Sequence, residues 1–223
     1  MRKIEMSKKI LTVTLFLPLL VGVTGCLESF KEEKKVKRVL LKGSPTEEYY
    51  QDSQKYFLDG NYSEALKYDF KQLEEDLKYF QDQSAEIAVD YNNIGLDYKK
   101  LKEYGKALEY YKKAMKIDNR VLSAKSIEKA TTYYNIASSY ASLKDYNNSL
   151  AYFEKSLSID TDKEKILASY QEIATIYEKN KAYALAFTYF KKALNLQEKL
   201  YKKEDEAFLR IKSKLQELGQ KLK

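Results

Sequence analysis

One short motif returns four times along the chain, and a sequence that copies itself at a fixed interval must build its core by stacking one unit on the next. The copies are Gly60-Asn61-Tyr62-Ser63-Glu64-Ala65-Leu66, Lys102-Glu103-Tyr104-Gly105-Lys106-Ala107-Leu108, Lys144-Asp145-Tyr146-Asn147-Asn148-Ser149-Leu150 and Lys181-Ala182-Tyr183-Ala184-Leu185-Ala186-Phe187. Their small residue falls at 65, 107, 149 and 186, giving intervals of 42, 42 and 37. Both prolines, Pro18 and Pro45, lie ahead of the repeats, so nothing in the repeated part breaks a helix.

Upstream of each turn the same residue types recur at offsets of three and four, which is one stripe of a helix. They are Tyr91, Ile94, Gly95 and Tyr98; Tyr133, Ile136, Ala137 and Tyr140; and Tyr170, Ile173, Ala174 and Tyr177. Downstream, Tyr111 with Ala114, Phe153 with Ser156 and Phe190 with Ala193 mark a second helix. Gly95, Ala137 and Ala174 are small where two helices must approach closely. The expected fold is all-α, an array of about four helix hairpins.

These positions resemble the tetratricopeptide repeat, whose pattern W-x2-L-G-x2-Y followed by A-x3-F appears here with Tyr for the first Trp. The match is strong over about 88–200 and weaker in the first repeat, where Ser53 takes the Gly place and Asp69 the aromatic place. The usual closing Pro is replaced by Asn119, Thr161 and Glu198. The 42-residue interval is similar to the kinesin light chain variety, with a longer second helix or connection. Thr161-Asp162-Lys163-Glu164 reads as a capping box that shortens the entry to the fourth repeat.

Composition removes most enzymatic chemistry. There is no His, so no imidazole base and none of the commonest zinc ligation. One Cys cannot form an internal disulfide, and the seven Gly residues are too scattered for a phosphate-cradling loop. Adjacent carboxylates such as Glu74-Glu75-Asp76 read as a solvated helix face. No catalytic activity, no metal and no cofactor are expected.

The front of the chain reads as an export signal. Lys8 and Lys9 precede an apolar stretch from Ile10 to Val23 that reaches roughly 21 Å as a helix, short of the ~30 Å hydrocarbon core. Either Met1 or Met6 could start it. Val23-Thr24-Gly25-Cys26 then resembles the lipobox of bacterial lipoproteins, which implies removal of residues 1–25 and lipid attachment at Cys26. Leu27 is not the Asp used for inner-membrane retention, so the resemblance implies the periplasmic face of the outer membrane, or the outer face of the plasma membrane in a one-membrane host.

The formal charge of +7 is not a nucleic-acid signature once divided along the chain. Residues 27–43 hold six basic and three acidic groups, residues 199–223 eight and four, and residues 1–26 four and one, which leaves the repeats slightly acidic. Residues 26–43 read as a charged tether, either lying on lipid headgroups or simply solvated. Ser44, Pro45 and Glu47 form a capping box that opens the repeat array of 44–200. In 201–223, Phe208, Ile211, Leu215, Leu218 and Leu222 make a stripe that fits a closing helix, with a membrane-surface helix as the alternative.

In the tetratricopeptide architecture the first helix of each pair lines the concave surface, so its non-core positions are the candidate contacts. These are Tyr50, Gln51 and Gln54; Asn92, Asn93 and Leu96; Tyr134, Asn135 and Ser138; and Gln171, Glu172 and Thr175. Side-chain amides carry donors and an acceptor, suiting the backbone of an extended peptide, while Tyr50 and Tyr134 could stack on its side chains. Asn93 and Asn135, at equivalent places, resemble the asparagine ladder of kinesin light chain. The sequence thus leads to a lipid-anchored adaptor binding a protein or peptide, with no nucleic acid and no small-molecule substrate. The alternative is a structural assembly factor docking through its convex face or ends.

Overall fold

The computed structural model describes residues 45–80, 82–201 and 205–223. The signal stretch, Cys26, the tether and Ser44 lie outside the described residues. All described residues belong to one compact unit. Among them are nine helices and no strand: α1 (Pro45–Leu58), α2 (Tyr62–Asp76), α3 (Ala85–Lys100), α4 (Tyr104–Val121), α5 (Ile127–Ser142), α6 (Tyr146–Leu157), α7 (Lys163–Lys179), α8 (Tyr183–Leu200) and α9 (Glu206–Lys221). Each helix packs on its neighbours in sequence, and α3 also touches α5, as α5 touches α7. Helices α3, α5 and α7 therefore run side by side, with the second helix of each pair behind them.

The repeated turn is a repeated helix stop. Gly60, Lys102, Lys144 and Lys181 all have left-handed φ, between 59° and 76°. The next residue donates its N–H five residues back, from Asn61 to Tyr56 O, Glu103 to Tyr98 O, Asp145 to Tyr140 O and Ala182 to Tyr177 O. The residue at positive φ donates three back. This is the Schellman arrangement, which satisfies carbonyls the ending helix would leave open. Only the first copy uses Gly, so three lysines adopt a conformation that costs an L-residue roughly 1–2 kcal/mol.

Hairpins close through a small residue facing a large one. A Cβ added at Gly95 would lie 2.6 Å from Tyr111 Cε1, and the Tyr111 ring is fully buried and has nowhere to move. Ala137 with Phe153 and Ala174 with Phe190 repeat the pairing, and all four are buried. In the first hairpin Ser53 donates a hydrogen bond to the Asp69 carboxylate at the same two places, and both residues are buried.

Two expectations are corrected. The cap of α7 is Asp162, not Thr161: its Oδ1 accepts from the Glu164 and Lys165 N–H groups at 2.9 and 3.3 Å. A carboxylate there also meets the positive end of the helix dipole, an advantage a threonine hydroxyl lacks. The 37-residue interval comes from the length of α6, 12 residues against 18 in α4. After α6 stops, Asp160 Oδ1 accepts the Asp162 N–H at 2.9 Å, turning the chain directly into the next cap.

Helix α9 covers the last hairpin. Phe208, Ile211 and Leu218 are buried, Leu215 is half-buried, and Lys214 Nζ reaches Glu178 Oε1 on α7 at 2.9 Å. The expected stripe ends one residue early, because Leu222 is the C-cap and is 48% exposed.

Candidate binding groove

The side-by-side first helices place the predicted contacts on neighbouring faces, but the side chains are engaged very differently. On α1, Gln51 is exposed and donates to Glu47 Oε1 at 3.5 Å, while Tyr50 and Gln54 are half-buried. Gln54 Nε2 is shielded from solvent and has no partner among the described residues. An unfilled buried donor costs about 1–3 kcal/mol, so Gln54 is the predicted contact with most to gain from an acceptor.

On α3, Asn92 is 6% exposed and its amide nitrogen is consumed internally, while Oδ1 is buried with no partner among the described residues. Nδ2 donates to Thr132 Oγ1 at 2.9 Å and to Ala88 O at 3.3 Å. Thr132 Oγ1 donates on to Asp118 Oδ2 at 2.7 Å, so a chain of bonds ties α3, α5 and α4 together. Burial pushes the Asp118 carboxyl above the usual range, opposed by the Thr132 bond and the Lys129 charge. Asn92 is thus a structural strut rather than an open reader.

Asn93 and Asn135 are 1% and 7% exposed and hold equivalent positions on the touching helices α3 and α5. At the matching place on α7 stands Glu172, so the amide ladder has two rungs. Tyr134, expected to stack on a ligand, instead meets Phe153 edge-on at 5.7 Å and packs with Ile173 and Ile176 of α7. Gln171, Glu172 and Thr175 are half-buried, and Thr175 Oγ1 donates to Gln171 O at 2.9 Å. A cross-tie, Lys165 Nζ to Thr131 Oγ1 at 2.8 Å, fixes α7 against α5. The face is therefore a rigid, mostly neutral surface of amides and hydroxyls, with Tyr50, Gln51, Gln54 and Gln171 its most accessible predicted members.

Two recurring constellations go beyond the stripe read from the sequence, which held Tyr91 and Tyr98, Tyr133 and Tyr140, and Tyr170 and Tyr177. Tyrosines at 49/56/68, 91/98/110, 133/140/152 and 170/177/189 form a trio in every hairpin, with centroids of the near-parallel pair 5.4–5.8 Å apart. A lysine lies over the last ring of each trio: Lys71, Lys113, Lys155 and Lys192, at 4.3–4.6 Å. Their faces are thereby occupied, which makes them mortar between helices. The second set is the buried row Asp76, Asp118 and Asp160, followed by Gln197, so of the expected solvated run Glu74-Glu75-Asp76 only Glu74 is exposed. Both sets repeat at the same 42, 42, 37 intervals as the turn, which is the signal that would have revealed them.

The tetratricopeptide repeat family model matches residues 86–162 and 128–199, together just over half of the chain. The chain belongs to the tetratricopeptide repeat family. Its fold is similar to a Podosopora anserina kinesin light chain-type protein with nearly identical TPR-like repeats, at 16% identity and a TM-score of 0.67, covering 80% of this chain and 88% of that one. BtubC (BKLC) from P. vanneervenii is similar at 20% identity and a TM-score of 0.64, covering 72% and 67%. The apo form of RapI is similar at 19% identity and a TM-score of 0.68, covering 80% and 64%. At these identities the likeness concerns the fold. No curated protein sequence matches the chain.

Tetratricopeptide arrays are generally protein-interaction scaffolds, and this fold is consistent with that role. Among the described residues no group of His, Cys, Asp or Glu could hold a metal ion, and no helix is long and apolar enough to cross a membrane.

Proposed function

We propose that the protein is an exported, lipid-anchored tetratricopeptide adaptor that holds an extended peptide or protein segment along the face made by α1, α3, α5 and α7. The observation that carries the reading is the distribution of amides on that face: Gln51, Gln54 and Gln171 stand accessible on first helices, with Asn93 and Asn135 buried beside them on the touching helices α3 and α5. Amide side chains pair with both the N–H and C=O groups of a peptide, whereas the outer helices carry lysines and carboxylates paired with each other. The lipobox-like Val23-Thr24-Gly25-Cys26 supports attachment at Cys26, and Leu27 supports an outer-membrane address in a two-membrane host. More than one acyl chain is needed for stable anchoring, which lipoprotein maturation supplies.

The test combines Gln51→Ala, Gln54→Ala and Gln171→Ala in the full chain. Capture of partners by crosslinking in intact cells is expected to fall at least tenfold while the helical circular-dichroism signal persists. Unchanged capture by a folded variant rejects the groove and leaves the convex face or ends as the docking surface of an assembly factor. Fatty-acid labelling of wild type against Cys26→Ser tests the anchor separately; equal label in both removes it.

A further inference from the structure

Outside that face, the hairpin α7–α8 carries an open hollow of about 280 Å³. Ile166, Leu196 and the Tyr170 ring give it apolar surface; Lys163, Lys192, Lys199 and Asn195 give it polar groups. Three lysines thus line a mostly apolar hollow with no carboxylate among the lining residues.

Of the four lysines over the tyrosine trios, Lys71, Lys155 and Lys192 have no ion pair among the described residues. Lys113, the counterpart of Lys192 in the second repeat, pairs with Glu109 at 3.0 Å. In α8 the residue four before Lys192 is Thr188, so the carboxylate is missing. None of Lys163, Lys192 and Lys199 forms an ion pair among the described residues. Glu164, next to Lys163, accepts instead from Tyr201 Oη at 2.7 Å. Lys192 Nζ sits 4.4 Å from the Tyr189 centroid and 5.7 Å from that of Tyr170, held over the aromatic surface.

The donor balance narrows the occupant. Asp162 already takes the N–H groups of Glu164, Lys165 and Ile166, and the backbone beyond is spent inside the helices. What remains among the lining side chains is three lysines, Lys192 of them over the aromatic rings, against two side-chain oxygens able to accept, those of Tyr170 and Asn195. A peptide brings an N–H donor with nearly every carbonyl, and most of those donors would go unmatched. A phosphodiester or phosphomonoester on an acyl glycerol brings acceptors, negative charge and methylenes together.

We infer that the hollow between α7 and α8 binds the phosphate and adjoining acyl methylenes of an anionic phospholipid. The site rests on neither the peptide-binding reading nor the Cys26 anchor.

The test uses the full chain carrying Cys26→Ser, so that no attached lipid competes, titrated calorimetrically with dihexanoyl phosphatidic acid kept monomeric. Lys163→Gln, Lys192→Gln and Lys199→Gln together are expected to weaken binding on the order of a hundredfold. Lys191→Gln, an exposed neighbour on α8, leaves it unchanged. Leu196→Asn weakens binding while retaining all three lysines, and rising salt weakens it throughout. The signal stretch is identical across these proteins, so differences report on the hollow. Equal affinity of the triple variant, equal binding of dihexanoyl phosphatidylcholine, equal affinity for inorganic phosphate, or stronger competition by an acidic peptide each overturns the inference. Retained helical signal in the variants keeps a loss of binding from being read as unfolding.

Discussion

The first hairpin and the three that follow have the same backbone and different glue. Where Gly95, Ala137 and Ala174 receive the rings of Tyr111, Phe153 and Phe190, the first hairpin sets Ser53 against Asp69 through a buried hydrogen bond. At the helix stop the contrast reverses: the first hairpin has Gly60, suited to left-handed φ, and the others force a lysine into it. A buried ring adds contacts all round, while a buried carboxylate keeps its place only as long as its donors do. The stacked geometry thus tolerates very different chemistry at equivalent points, and the hairpins should differ in how they fail.

The sharpest way to break the comparison is to empty the aromatic place. Phe153→Ala, fully buried, is expected to cost about 3–5 kcal/mol in urea unfolding. Removing the polar counterpart, Ser53→Ala, strands part of the Asp69 carboxylate and should cost about 1–3 kcal/mol, with hydrogen exchange accelerating first in α1 and α2. Gly95→Ala gains helix propensity but drives a Cβ into Tyr111; the expected net is a loss of about 1–2 kcal/mol, and a gain would mean the ring is not fixed.

Asp118 gives a pH-resolved effect. Its carboxyl titrates above the ordinary range when folded, so the folded state holds a proton the unfolded state has released. Stability from this group is present below the unfolded value and is lost as pH rises through the folded one. Asp118→Asn keeps an oxygen for Thr132 and no longer titrates. Its melting temperature should therefore match or trail wild type in acid and exceed it near neutrality; the opposite order would mean the carboxylate is favourably held. The smallest expected effect is Lys144→Gly, which relieves left-handed strain and should stabilise by about 0.5–1 kcal/mol, whereas the same change at exposed Lys116 within α4 should destabilise.

Much of this architecture was legible in the sequence because the turn motif and the small-aromatic pairs are local patterns whose intervals expose the stacking unit. The Gly95–Tyr111 approach follows from a residue type alone. The engagement of the groove was not legible, since whether Asn92 faces a ligand or Thr132 depends on how far apart α3 and α5 settle, a quantity set by packing between repeats. Tyr134 misled for the same reason: its position is that of a contact, but the neighbouring α7 closes over it. The cap of α7 was missed by one residue because Thr161 and Asp162 are both good caps, and only Asp160 holding the Asp162 N–H decides between them.

The central claim is that the face of the first helices receives the partner. Photocrosslinking residues placed singly at Gln51 and Gln171 on that face, and at Glu109 and Lys191 on the outer helices, test it in intact cells. The account predicts partner adducts from Gln51 and Gln171 and none from Glu109 or Lys191. Adducts confined to Glu109 and Lys191 would contradict it.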